Sequence, residues 1–232
     1  MEPRPGVVDP TARLLYAGEG LDDEMVATLR TTGPLAALER WYAAAADDDR
    51  VAEPGAMVVA TVDADGHPDA RTLLLKGLDA RGLVFYTNLG STKARQLAAV
   101  PFAAVVLPWH PMFRQVRARG PVEAVSREEA AAYFALRPRP SQLGAWASRQ
   151  SSPIASRADL EAAVAAEEDR FAGRPDVPLP DFWGGFRVRP VEVELWAGHR
   201  DRLHDRVRFT TRDGHPAPLD DASAWVVQRL QP

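Results

Sequence analysis

Cysteine is absent from this 232-residue sequence. A chain without thiols has no disulfide framework, no thiolate nucleophile, no iron–sulfur cluster and no cysteine-held zinc. Lysine is nearly absent too: of 28 basic residues only Lys76 and Lys93 are lysines, and the other 26 are arginines. Long apolar runs are missing. The longest near-apolar stretch, Phe102 to Leu107, is strand-sized, far short of the roughly 18 residues of a membrane helix. Met1 to Pro10 lacks the basic-then-apolar pattern of a leader, so a cytoplasmic protein is expected. The formal net charge of −4 argues against nucleic-acid or membrane-surface partners, whose binding rests on phosphate neutralisation. No G-x-G-x-x-G, Walker, G-x-S-x-G or paired-carboxylate pattern is present. His110 has no second ligand at metal spacing, so no metal site is expected.

What is present is a globular composition, 46% apolar and 26% charged, enough to bury a core. Residues 1–32 read as an arm with a few helical turns, and residues 33–232 as one domain. Gly33 to Ala46 has the apolar spacing of a helix in Leu35, Leu38, Trp41 and Tyr42. Strands are expected over 56–63, 70–78, 82–88, 102–109, 113–125, 185–196, 202–210 and 224–230. Helices fall at 91–100 behind Ser91, at 126–136 behind a Ser126/Glu129 capping box, at 141–148 and at 156–171. Helices inserted irregularly among short strands give a mainly β chain with peripheral helices, in the α+β class. An antiparallel barrel fits that order better than a doubly wound sheet.

Four clusters could carry chemistry. The segment Tyr86-Thr87-Asn88-Leu89-Gly90-Ser91-Thr92-Lys93 runs from strand through a glycine turn into a helix. A helix N-terminus attracts anions, and the dipole there disfavours Lys93 unless an anion is near; a capped helix with a solvated lysine reads equally from the same residues. Arg71-Thr72-Leu73-Leu74-Leu75-Lys76 places a cation at each end of an apolar strand, as an anion site or as solvated strand ends. In strand geometry Arg202, His204 and Arg206 share one face, where three cations call for a compensating anion; a charged outer face beside Asp205 is the alternative. Tyr133 and Arg137 lie one turn apart on a helix, and Pro138 forces Arg137 out of helical geometry toward Ser141. That corner could grip a phosphate or be a plain junction. Trp109, Trp146 and Trp183 are read as core or interface fillers, and His67 and His215 as solvated.

These segments, in this order, resemble the pyridoxine/pyridoxamine 5′-phosphate oxidase family from about Arg13 to Pro232. The resemblance is carried by Ala56–Val62, Phe85–Asn88, Arg137-Pro138-Arg139 through Trp146, Ser148–Ser152, Phe182–Arg187 and Arg202–Arg206. It implies an FMN-binding split β-barrel, homodimeric, with FMN between the subunits. It further implies that Arg71, Thr72, Leu73, Leu74, Tyr86, Thr87, Ser91, Thr92 and Lys93 surround FMN, with Gln115, Gln150, Ser151, Trp196 and Arg206 completing the flavin site. By the same likeness Lys76, Tyr133, Arg137 and Ser141 hold the substrate phosphate. Arg202 and His204 lie over the pyridine ring as catalytic residues, and Arg13 and Tyr16 belong to an arm that can close over the substrate. The implied reaction oxidises pyridoxine or pyridoxamine 5′-phosphate to pyridoxal 5′-phosphate, consuming O2 and giving H2O2. A phenazine-pathway type of flavin oxidase, a non-catalytic flavin or haem binder and a deazaflavin-using reductase are the alternatives on this scaffold. The chain departs from the family in having Thr92 where an arginine is frequent, acidic residues at Asp22-Asp23-Glu24, and a lengthened hairpin over 211–223.

Overall fold

A computed structural model describes residues 16, 18 and 20–232. The first helix, α1 (Asp23–Ala46), begins where Asp22 accepts a hydrogen bond from the Met25 N–H at 2.7 Å, with Asp23 and Glu24 in its first turn. The acidic run of the arm is thus a helix start, stabilised by the positive end of the helix dipole. Helical turns therefore precede Gly33, where the helix was expected to begin. Gly33 instead interrupts the helix at φ 70°, ψ 176°, and Pro34 restarts it.

Ten strands follow among the described residues: β1 (Ala56–Val62), β2 (Pro68–Leu74), β3 (Gly77–Asp79), β4 (Gly82–Asn88), β5 (Phe102–Trp109), β6 (Arg114–Ala124), β7 (Trp183–Val188), β8 (Glu192–Ala197), β9 (Asp205–Thr211) and β10 (Trp225–Leu230). Between them lie α2 (Thr92–Ala99), α3 (Arg127–Leu136), α4 (Arg139–Ala147) and α5 (Arg157–Arg170). The expected strand over 70–78 is two strands, and the one over 185–196 is broken at residues 189–191, where Pro190 has no N–H for a ladder. The strand expected from Arg202 begins only at Asp205, because Asp201 and Arg202 both adopt positive φ, 57° and 62°. Ser126 caps α3 as expected, accepting from the Glu129 N–H at 3.1 Å. The Glu129 carboxylate is engaged elsewhere, by Arg187 at 2.6 Å.

All strand pairs are antiparallel. One path runs β10-β9-β8-β6-β5-β1-β2, and a branch joins β3, β4 and β7 back to β6. The eleven-residue β6 pairs with β8 over Arg114–Arg119 and with β7 over Val122–Ala124, which bends the sheet into a split antiparallel β-barrel. Alternation fills the interior: Met57 and Val59, Val105 and Leu107, Val116 and Ala118, Val193 and Leu195, Val207 and Phe209 are all buried. The lengthened hairpin after β9 has a structural account. Leu219 is fully buried; its N–H donates to Ala80 O and its carbonyl accepts from Leu35 N–H at the α1 break. Burying that side chain is worth roughly 2 kcal/mol and ties α1 to the β3–β4 turn. Among the described residues, no helix is long and apolar enough to cross a membrane.

Candidate active site

A cavity of about 510 Å³ opens between β2, β4, the α3–α4 corner and the 148–150 segment. Leu73, Leu74, Lys76, Tyr86, Thr87, Tyr133, Arg137, Ser141 and Gln150 line it, so three of the four sequence clusters converge on one space. The convergence has a local cause. Asn88, at the end of β4, donates to Ser148 O at 3.0 Å and accepts from the Gly90 N–H at 2.8 Å. Ser91 then caps α2, and the Thr92 N–H donates to Ser151 Oγ at 3.2 Å. The 148–151 segment is thereby held against the N-terminus of α2.

Lys93 leaves that helix and is only 6% exposed. Its Nζ donates to Gln150 Oε1 at 2.8 Å and to Thr87 Oγ1 at 3.2 Å. Both acceptors are neutral. Burial, and secondarily the Arg71 charge, lower its pKa. A buried ammonium without a carboxylate in hydrogen-bond reach is favoured by an incoming anion. Arg71 donates to Thr61 Oγ1 at 2.7 Å and is paired with Asp69. Arg95, one turn beyond Thr92, donates to Thr92 Oγ1 at 3.1 Å, so a guanidinium lies beside the position where the resemblance led us to expect a lost cation. Thr72 is exposed and does not line this cavity.

Deeper in the same space the aromatic rings of Tyr86 and Tyr133 stack at 4.0 Å and 7°, and Trp183 stacks on Tyr86 at 5.5 Å and 1°. Arg137 caps α3 in extended geometry, φ −71° and ψ 144°, as Pro138 requires. Its guanidinium lies 4.9 Å over the Trp183 ring. Arg137 Nη1 is buried and makes no hydrogen bond among the described residues, and burial lowers the pKa of the group. Trp183 therefore does more than fill the core: it packs in the core and also forms the face on which Arg137 rests. Nothing local in the sequence joins positions so far apart. The buried Arg187, 2% exposed, fixes this corner by pairing with Glu129 of α3 at 2.6 Å and Asp79 of β3 at 2.9 Å. Lys76 reaches the rim exposed, with no ion pair among the described residues.

The remaining predicted residues form a second group. Gln115, Trp196 and Arg206 are directly opposite one another across β6, β8 and β9. Arg206 is held by Glu194, Nε to Oε1 at 3.0 Å and Nη2 to Oε2 at 3.1 Å. Glu194 is 3% exposed, and its hydrogen bond raises the Arg206 pKa. The compensating anion for this cation is therefore a protein carboxylate. The shared strand face expected for Arg202, His204 and Arg206 is corrected as well, because Arg202 ends a 3₁₀ turn in left-handed geometry. His204 packs against Trp196, centroids 4.7 Å apart, and Tyr16, 5.2 Å apart. The His199 N–H donates to His204 Nδ1 at 3.1 Å. An N–H can only donate, so the neutral ring carries its proton on Nε2. Burial, then the Arg202 and His199 charges, lower its pKa, which keeps it neutral near pH 7. Arg13 lies outside the described residues. Among the described residues no hydrogen bond, ion pair or ring contact joins this second group to the cavity residues.

Comparison with known proteins finds two matching sequence families. One, described as pyridoxamine 5′-phosphate oxidase, covers residues 44–170. The other, described as the pyridoxine 5′-phosphate oxidase C-terminal dimerisation region, covers residues 183–232. A pyridoxine/pyridoxamine 5′-phosphate oxidase of Saccharopolyspora erythraea is 48% identical over 223 residues, spanning 96% of this chain and 95% of that protein. One of Azorhizobium caulinodans is 59% identical over 180 residues, 78% of this chain and 81% of that protein. Among solved structures, PhzG from Burkholderia lata, determined with tetrahydrophenazine-1-carboxylic acid, superimposes with a TM-score of 0.76 at 31% identity. That match covers 87% of this chain and 93% of PhzG.

Proposed function

The chain belongs to the pyridoxamine 5′-phosphate oxidase family, and from that premise we propose an FMN-dependent oxidase acting on pyridoxine or pyridoxamine 5′-phosphate. The alcohol and O2 give pyridoxal 5′-phosphate and H2O2; the amine, O2 and water give the same two products and ammonia. The observation that carries the substrate class is Arg137, a half-buried arginine whose Nη1 is buried and unbonded on the wall of a cavity shared with Lys76, Tyr133 and Ser141. A phosphate dianion would satisfy it.

The residues at the start of α2 fit a second phosphate, that of FMN. Lys93 is buried among neutral acceptors, with Arg71 nearby and the positive end of the α2 dipole beside it. Arg71, Thr72, Leu73, Leu74, Tyr86, Thr87, Ser91, Thr92, Lys93, Gln150 and Ser151 would hold FMN from one chain. Gln115, Trp196 and Arg206 would do so from a second copy, so a homodimer is part of the proposal, supported by the matching dimerisation region. When bound, FMN supplies a two-electron acceptor that dioxygen can reoxidise.

The chain's own part is positional. Lys76 and Arg137 anchor the phosphate end of the substrate, which fixes where its 4′ carbon lies. Arg202 and His204 come to the pyridine ring from the other half. His204, neutral with its proton on Nε2, donates a hydrogen bond and does not take a proton through Nδ1, which the His199 N–H occupies. Anaerobic addition of pyridoxamine 5′-phosphate to the purified yellow protein should bleach the flavin absorbance, and air should restore it with stoichiometric aldehyde. The likeness to PhzG favours one second reading, a phenazine-type oxidase. Bleaching by an unphosphorylated tricyclic acid, with none by the phosphorylated pyridine, would select it; no bleaching by either would leave a non-catalytic flavin binder.

A further inference from the structure

Asp205 sits between two residues of the second group, yet strand alternation turns its side chain to the opposite face of β9 from Arg206. There it meets the segment before α1. Asp205 Oδ2 accepts from the Leu21 N–H at 3.1 Å, and Asp205 Oδ1 is paired with Arg229 Nη1 of β10 at 2.5 Å. Arg229 Nη2 donates to Leu21 O at 2.7 Å and to Asp23 Oδ1 at 3.0 Å. Both polar groups of Leu21 are therefore held by one ion pair, and its side chain is 2% exposed. Gly20 has no room for a Cβ, which would collide with the Asp205 carboxylate. A few residues earlier, Tyr16 lies edge-on to Phe113, Trp196 and His204.

We propose that Asp205 and Arg229 are positioning residues: they clasp the Leu21 peptide, and through it hold Tyr16 against His204 and Trp196. The clasp sets the wall of the ring-binding half without touching substrate. Only four residues of sequence separate Leu21 from Tyr16, so loosening Leu21 frees the tyrosine ring. The consequence for substrate rests on the functional reading above; the consequence for Leu21 does not.

The test uses the FMN-loaded full-length protein with Arg229→Met, Arg229→Lys, Gly20→Ala, Tyr16→Ala and the Tyr16→Ala/Arg229→Met pair. Hydrogen exchange at the Leu21 amide should quicken about tenfold or more in Arg229→Met and Gly20→Ala, with Arg229→Lys between. KM for pyridoxine 5′-phosphate should rise about fivefold in the same two variants while kcat stays within about twofold. The double variant should be no worse than Tyr16→Ala alone, since coupled residues are non-additive. Unchanged Leu21 exchange overturns the clasp. Faster exchange with unchanged KM, or additive effects of Tyr16 and Arg229, overturns its action through Tyr16. Absence of turnover in the unaltered protein defeats the functional reading, and the exchange arm still judges the clasp.

Discussion

The two halves of the candidate site handle positive charge in opposite ways. Around the 510 Å³ cavity, Lys93 is buried and Arg137 half-buried among neutral or aromatic partners, and burial lowers the pKa of both. On the β6–β8–β9 side, Arg206 and Arg229 are already answered by Glu194 and Asp205. A buried cation without an anion is a binding site in waiting, because the ligand removes a cost the folded chain already carries. A cation already paired to a carboxylate has a fixed orientation and little attraction left for another anion. The first half is built to grip, the second to aim.

The largest effect should come from removing a gripping cation. Lys93→Ala is expected to weaken FMN retention about 100-fold, since a charge-assisted contact in a desolvated site is worth about 3 kcal/mol. Fluorescence titration of released flavin measures it; a change below about threefold would erase the contrast between the halves. Next is Arg137→Ala, expected to raise KM for the phosphorylated pyridine about 30-fold with FMN retention intact. The exposed Lys76 should cost less, about fivefold in KM. An exchange of phenotypes between Lys93 and Lys76 would break the assignment.

Stability should respond with opposite signs in the two halves. Glu194→Gln strips a buried pair of its charge and should lower apo-protein stability by about 2 kcal/mol. Lys93→Met removes an unanswered buried charge and should raise it by about 1 kcal/mol. Differential scanning calorimetry of both apo variants decides the point; destabilisation by Lys93→Met would show that the ammonium is already satisfied.

The smallest effect is on proton binding at His204. Its pKa is lowered in the folded chain, so the unfolded state binds the proton first as pH falls. Stability therefore declines as pH drops from the ordinary imidazole value, about 6.5, to the lowered folded value, and is level below it. An NMR titration should find the His204 midpoint below the ordinary imidazole value. A midpoint above it would break the tautomer argument.

Much of the local architecture could be read directly from the sequence. Ser91 and Ser126 cap the helices expected of them, because a hydroxyl at a helix start acts within one turn. Pro138 turns Arg137 outward for an equally local reason. The strand face drawn through Arg202, His204 and Arg206 from period-two alternation did not form. That one failed because two consecutive residues adopt left-handed geometry without glycine to announce it.

The two lysines show the same boundary. Their scarcity drew attention to them, and the order of motifs placed the chain in its family. That Lys93 is buried beside neutral acceptors, while Lys76 stands free at the rim, depended on how β4, α2 and the 148–151 segment close together. Equally, nothing near Arg206 in the chain shows that Glu194, on the next strand, would neutralise it. Nor could the sequence show Trp183 beneath Arg137, or Arg229 clasping Leu21. Caps, turns and alternation act over a few residues and are written locally. Charge compensation, desolvation and ring stacking depend on groups distant in sequence, and only the folded sheet brings them within a few ångströms.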